Sequence, residues 1–179
     1  MPSKVAFSND HSNLEDIEEY YFDSELALQQ YFLSSEVPAK FIGCSLSMLQ
    51  EELKDRTESL DRMCSLEILA TLEARFRVDY LVRCQKKKRD VFSKKLRAIY
   101  RKKENQASLV DDIISTWRRE HPEHKARLDS FQGALDYRNW LAHGRYWQPK
   151  KMPHLSRYDY LFLYSLADDI LGNIELLES

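Results

Sequence analysis

The sequence predicts an all-α protein, a bundle of four main helices with shorter additional ones, and three observations carry that expectation. From Ser47 to Gln85 there is no Gly or Pro, and Leu60, Met63, Cys64, Leu66, Leu69, Leu72, Phe76 and Tyr80 recur at helical spacing. The chain holds only 4 Gly and 5 Pro in 179 residues, too few for hairpin-rich β structure or for clustered-glycine phosphate loops. No strand-like alternation is sustained anywhere along it. With 43% hydrophobic and 12% aromatic residues the chain can bury a core, which excludes a disordered class. Residues 1–179 read as one domain, with 1–12 as a loose leader.

Asn13 reads as a cap and Glu15 and Asp16 as first-turn acids, which predicts a first helix to about Phe32. Pro38 and Gly43 mark a connection. The Ser47–Gln85 stretch follows, with Ile68, Val78, Leu81 and Val82 adding apolar surface, as one central helix or as two broken near Asp61. Residues 89–103 form an amphipathic basic helix, with Val91, Phe92, Leu96, Ile99 and Tyr100 expected on its buried side. Ser108-Leu-Val-Asp111 resembles a capping box and opens a short helix that His121-Pro122 ends. Lys125 to Ala142 is the next helix, with Gly144 as its stop. Pro149 and Pro153 lie in a loop. Ser156-Arg-Tyr-Asp159 starts the last helix, whose stripe is Leu163, Leu166, Ala167, Ile170, Ile174 and Leu177.

The three cysteines, Cys44, Cys64 and Cys84, are odd in number and far apart. This fits reduced thiols in a cytoplasmic protein and neither a disulfide frame nor a zinc site. No apolar run is long enough to span a membrane, and no signal peptide is evident. Charge is uneven. Residues 1–62 hold 13 Asp and Glu against 5 Lys and Arg, and residues 83–103 hold 11 Lys and Arg against Asp90 alone. The basic stretch is either an anion-facing surface or the counterpart of the acidic first third. As an RNA surface it is represented by Lys94, Lys95, Arg97 and Arg101.

Chemistry concentrates in Tyr137-Arg-Asn-Trp-Leu-Ala-His-Gly-Arg-Tyr-Trp147. Asn139 and His143 are four apart and share a helix face. Arg138 and His143 are five apart, about 140° around the helix. A single helix therefore separates them, and a second copy across a two-fold axis would gather two of each in one cleft. Imidazole exchanges protons near neutrality, and guanidinium forms a charged fork matched to phosphate oxygens. These residue types suit cleavage of an RNA phosphodiester without metal or cofactor. Glu73 and Arg77, four apart on the central helix, are either a simple ion pair or support for this cleft. Arg138 has Asp136 and Asp129 as alternative partners within its own helix. Arg119-Glu-His-Pro-Glu-His124 repeats the Arg–His spacing but is interrupted by Pro122.

The Tyr137–Trp147 segment resembles the signature of the HEPN superfamily, whose ribonuclease members carry Arg, four to six residues, then His. The resemblance places the family's Arg at Arg138, the polar residue that often follows at Asn139, and the His at His143. It implies a helical bundle, commonly a homodimer with the cleft at its interface. It further implies a metal-independent endoribonuclease of the kind found in toxin–antitoxin and phage-defence systems, with an antitoxin or regulatory protein as a possible partner. Arg145 stands where a toxin subset controlled by nucleotidylation has Tyr; Tyr146 follows it. Arg145 and Tyr146 complete the supporting set. The alternative is a non-catalytic helical module that binds RNA or protein.

Overall fold

The computed structural model describes residues 12–34, 38–145 and 158–178, and among these every regular element is helical. Helix α1 spans Leu14–Leu33, and the Asn13 side chain accepts the Asp16 N–H at 2.7 Å. Helix α2 spans Leu46–Gln85 and is unbroken for 40 residues, about 60 Å. Asp61 does not interrupt it. Its carboxylate instead accepts the Tyr21 hydroxyl of α1 at 2.7 Å. Lys87, at φ +50°, turns the chain into α3, Val91–Lys103, which Asp90 caps through the Ser93 N–H.

One expectation for α3 is corrected. Val91 is 67% exposed, whereas Phe92 and Leu96 are buried and Ile99 and Tyr100 half-buried. At 100° per residue Val91 points well away from the stripe that starts at Phe92.

Ser108 does cap the following helix, accepting the Asp111 N–H, but the first six residues, Leu109–Ile114, are π-helical. The Ile113 N–H reaches the Ser108 carbonyl, five residues back, at 3.1 Å. The wider turn leaves Ile113 and Ile114, adjacent in sequence, both with no exposed surface. Helix α4, Ser115–Glu120, continues directly and ends at His121-Pro122.

Helix α5 spans Lys125–Ala142 as the sequence predicts, and α6 spans Tyr160–Asn173. Asp159, not Ser156, caps α6, through the Phe162 N–H at 2.8 Å. Of its predicted stripe, Leu163 through Ile174 is buried, and Leu177 lies beyond the helix, half-buried. Of the 1–12 leader only Ser12 is described, and its hydroxyl donates to Glu67 Oε1 of α2 at 2.6 Å; residues 1–11, Pro149, Pro153 and Ser156 lie outside the described residues.

Helix α2 is the axis, with α1, α3, α5 and α6 packed along it. Ile68, Leu69, Leu72 and Phe76 have no exposed surface. Phe76 stacks on Phe131 of α5 at 5.4 Å between ring centroids, and Tyr21 of α1 stacks on Tyr160 of α6 at 3.6 Å. Cys64 and Cys84 are buried and unpaired, and burial pushes the Cys64 thiol up to about 11. Among the described residues no helix is long and apolar enough to cross a membrane.

The wholly buried Asp79 of α2 ties down the C-terminal segment. It accepts the Leu177 N–H at 2.9 Å and the Arg83 Nε–H at 2.7 Å. Arg83 in turn donates to the Glu175 carbonyl at 3.2 Å and lies over the Phe92 ring, 4.9 Å from its centroid.

Candidate active site

The last two turns of α5 carry Arg138, Asn139 and His143. The helix ends in a Schellman motif: the Arg145 N–H bonds to the Trp140 carbonyl and the Gly144 N–H to the Leu141 carbonyl, both at 3.1 Å. The motif demands a left-handed residue, and Gly144 supplies φ +77° without strain. Arg145 follows at φ +58°, a conformation that turns the chain sharply away from the helix axis. His143 is the C-cap and is exposed, with its backbone N–H on the Asn139 carbonyl.

Arg138 is half-buried, and its orientation is set by α2. Its Nη2 lies 3.4 Å from Oε2 of Glu73, and Oε1 of Glu73 accepts the Arg77 Nε–H at 2.9 Å. Glu73 is therefore shared by two guanidinium groups, so the Glu73–Arg77 ion pair and contact with Arg138 occur together. Arg77 also donates to the Ala107 carbonyl at 3.3 Å. Asp129, one of the alternatives for Arg138, is taken by Arg118 at 2.8 Å. Arg138 Nη1 reaches the Asn139 Oδ1 at 3.3 Å, which directs two polar side chains of neighbouring register toward each other. The Arg138 Nε is buried with no hydrogen-bond partner.

Beside this helix end lies a cleft of about 360 Å³ between α2 and the C-terminal turn of α5. Tyr137, Trp140 and Tyr158 supply its aromatic wall, and Arg62 and Arg145 its cations, opposite Asp61. Tyr137 and Tyr158 stack at 5.3 Å. Tyr158 comes close because residue 133 is Gly: a Cβ there would meet the Tyr158 hydroxyl at 2.7 Å. Burial raises the Asp61 carboxyl above its ordinary value, against the opposing hydrogen bond from Tyr21. Arg138, Asn139 and His143 do not line this cleft; Arg145 does. Within one chain, then, the Arg–His pair lies outside the concavity beside it. Tyr146 lies outside the described residues.

The basic residues divide by environment. Lys95 pairs with Glu120, Lys103 with Asp112, and Arg97 donates to the Lys88 carbonyl. Lys94, Arg101 and Lys102 are exposed on α3. Among the described residues, the carboxylates paired with the lysines of α3 are Glu120 and Asp112, and none belongs to the acidic first third of the chain.

Sequence reasoning assigned no role to His121 and His124, yet both line a second cleft, of about 470 Å³, with Arg83, Phe92 and Trp117. Their rings lie 6.1 Å apart, and His121 meets both Phe92 and Trp117 at 4.9 Å. Sequence spacing showed the two imidazoles but not α2 and α3, which complete that wall. The Arg119–His124 spacing forms no second Arg–His site: Arg119 is turned to Glu120 at 2.9 Å. Among the described residues no three His, Cys, Asp or Glu side chains are grouped to hold a metal ion. Comparison with family models, curated proteins and solved structures gave no match to this chain.

Proposed function

We propose that this chain is a metal-independent endoribonuclease of HEPN type, working as a homodimer and serving as a toxin or phage-defence enzyme. One observation carries the reading: the Arg138, Asn139 and His143 set stands at a helix end, with its Arg oriented by Glu73 and its His exposed. In the reaction, His143 takes the proton of a ribose 2′-OH, and the 2′ oxygen attacks the adjacent phosphorus. The P–O5′ bond breaks, leaving a 2′,3′-cyclic phosphate, and an imidazolium from the second copy returns a proton to the 5′ oxygen. Arg138 meets the charge that develops on the phosphoryl oxygens, and Asn139 holds one of them. Glu73 and Arg77 act by positioning Arg138. The aromatic cleft with Arg145 suits stacking of an unpaired base beside the scissile bond.

The test is incubation of purified protein with mixed RNA in the presence of chelator. Cleavage with cyclic or 3′-phosphate ends supports the reading, and a strict requirement for Mg²⁺ overturns it. Assembly is tested separately. Light scattering at micromolar concentration is expected to give about twice the 21.3 kDa chain mass. A monomer that still cleaves RNA would remove the shared site.

The alternative, a non-catalytic RNA-binding module, draws on the exposed cations of α3. Their contribution has its own expected result. Replacing Lys94, Arg101 and Lys102 by Ala weakens single-stranded RNA binding and flattens its salt dependence, by about 0.7 in log–log slope for each phosphate no longer neutralised. Base preference stays nearly unchanged. Unaltered affinity and slope in a titration from low to high salt would take α3 off the RNA surface.

A further inference from the structure

Helix α2 is longer than the core it supports. Among residues 46–59 only Leu49 is buried, whereas burial is dense from Leu60 onward. Among the described residues, the hydrogen bonds and ion pairs of 46–59 stay within α2 and its cap Ser45, as in Arg56–Glu52 and Arg62–Glu58. Phe32 and Leu49 are buried but stand apart from the main core cluster. The second half of α1 and the first third of α2 thus form a two-helix arm about 20 Å long, with a small apolar contact of its own.

A helix pair can shield only its inner faces, and this arm leaves large apolar side chains in water. Leu33 is 56% exposed, Ile42 80%, Leu46 65% and Met48 57%, all concentrated at its far end. Leu26, two turns back on α1, is 54% exposed. Apolar surface gathered in this way marks an interaction site. Its border is acidic. On α1 the arm carries Glu25, with Asp23 just before it, and no Lys or Arg; Glu51, Glu52, Asp55 and Glu58 follow on α2, Glu58 paired with Arg62 at 3.5 Å. Of the two cations of this α2 stretch, Arg56 is already paired with Glu52 at 2.8 Å. The aromatic rings of the tip accept a cation within the chain itself: Lys40 Nζ lies 4.7 Å from the Phe41 centroid and 5.4 Å from that of Tyr31.

We infer that the α1–α2 arm is a docking surface for a basic amphipathic helix of a partner protein, apolar residues on the arm tip and cations against its acidic border. A second copy fits less well. Across a two-fold axis the arm would meet either its own acidic border or the basic α3 of the other copy. Helix α3 also has its apolar face already buried against the core, through Phe92 and Leu96. The inference holds independently of RNA cleavage.

The test uses the full-length protein and a labelled Leu/Lys amphipathic peptide of about 18 residues, with a Leu/Glu peptide of the same apolar pattern as control. Fluorescence anisotropy is expected to show micromolar binding of the basic peptide, weakened by salt, and at least tenfold weaker binding of the acidic one. Leu33→Ala with Met48→Ala, or separately Glu51→Lys with Asp55→Lys, is expected to reduce binding at least tenfold. These side chains are exposed, so circular dichroism should show the fold intact. The same affinities in His143→Ala protein separate this result from the fate of the cleavage reading. Equal binding of both peptides, or basic-peptide binding that ignores the arm substitutions, overturns the inference. So does conversion of a dimer to a monomer by the arm substitutions, which would assign the arm to a second copy.

Discussion

His143→Ala and Arg138→Ala are each expected to lower the rate of RNA cleavage by roughly 10²-fold or more, with the fold unchanged. The two losses have different origins. Removing the imidazole removes the group that exchanges the proton. Removing the guanidinium removes the charge that meets the developing negative oxygens. His143 is exposed and Arg138 half-buried, and Arg77 stays on Glu73 when Arg138 is removed, so thermal stability should move little. Glu73→Gln separates positioning from chemistry. It leaves Arg138 charged but takes away the carboxylate that Arg138 shares with Arg77. Its expected effect is a smaller loss, partly restored by Asp at the same position. A mixture of Arg138→Ala and His143→Ala protomers should stay impaired, because the mixed dimer holds one imidazole where the reaction uses two. Rates at wild-type level in both single variants would end the catalytic assignment.

Asp79→Ala is expected to destabilise the protein by about 3–5 kcal/mol, a fall in Tm on the order of 10 °C. Asp79 has no exposed surface, and its removal leaves Arg83 without its carboxylate and the Leu177 N–H without its acceptor. Arg83 is 11% exposed, so its charge has little water to turn to. The C-terminal segment should loosen first, seen as faster amide exchange at Leu177. The same residue makes stability depend on pH in a stated direction. Burial raises the Asp79 carboxyl above its ordinary 3.8, and its bonds to Leu177 and Arg83 offset this in part. The folded state therefore holds this proton more tightly than the unfolded chain. The stabilisation tied to that proton is full below 3.8 and is lost as pH rises through the folded value. Asp79→Asn lacks this loss, so its deficit relative to wild type should narrow as pH rises. Denaturant melts of both proteins across that range measure it, and a widening gap would reverse the assignment.

Much of the fold was legible because its determinants are local. Asn13, Ser108 and Gly144 act within four or five residues of themselves, and each does what its side chain or backbone freedom prescribes; Asp90, the cap of α3, was read only as an acid inside a helix begun at residue 89. The stripe of α6 buries at helical period for the same reason. Val91 was misplaced because it neighbours the stripe of α3 without lying on its face. The π-helical turn at Leu109–Ile114 was not legible. It occurs together with Asp112 accepting the Ser108 N–H at 2.7 Å and binding Lys103 of α3, a contact that helical spacing does not show.

For the candidate site, residue order offered Arg138, Asn139 and His143 at the end of one helix, with Gly144 to stop it, and the resemblance to a family signature singled them out. Spacing also showed that Arg138 and His143 diverge, since five residues on an α-helix never return to one face. Tertiary structure decided what each faces. It brought Glu73, 65 positions away in sequence, to Arg138 and not Asp129 or Asp136. It set the aromatic cleft beside the helix end, gathered the two histidines with Phe92 and Trp117, and left the α1–α2 arm uncovered. The reason is physical. Caps and periodicity are set by neighbours in the chain, whereas partners of a charged or aromatic side chain are set by helix crossings, which depend on the packing of the whole core.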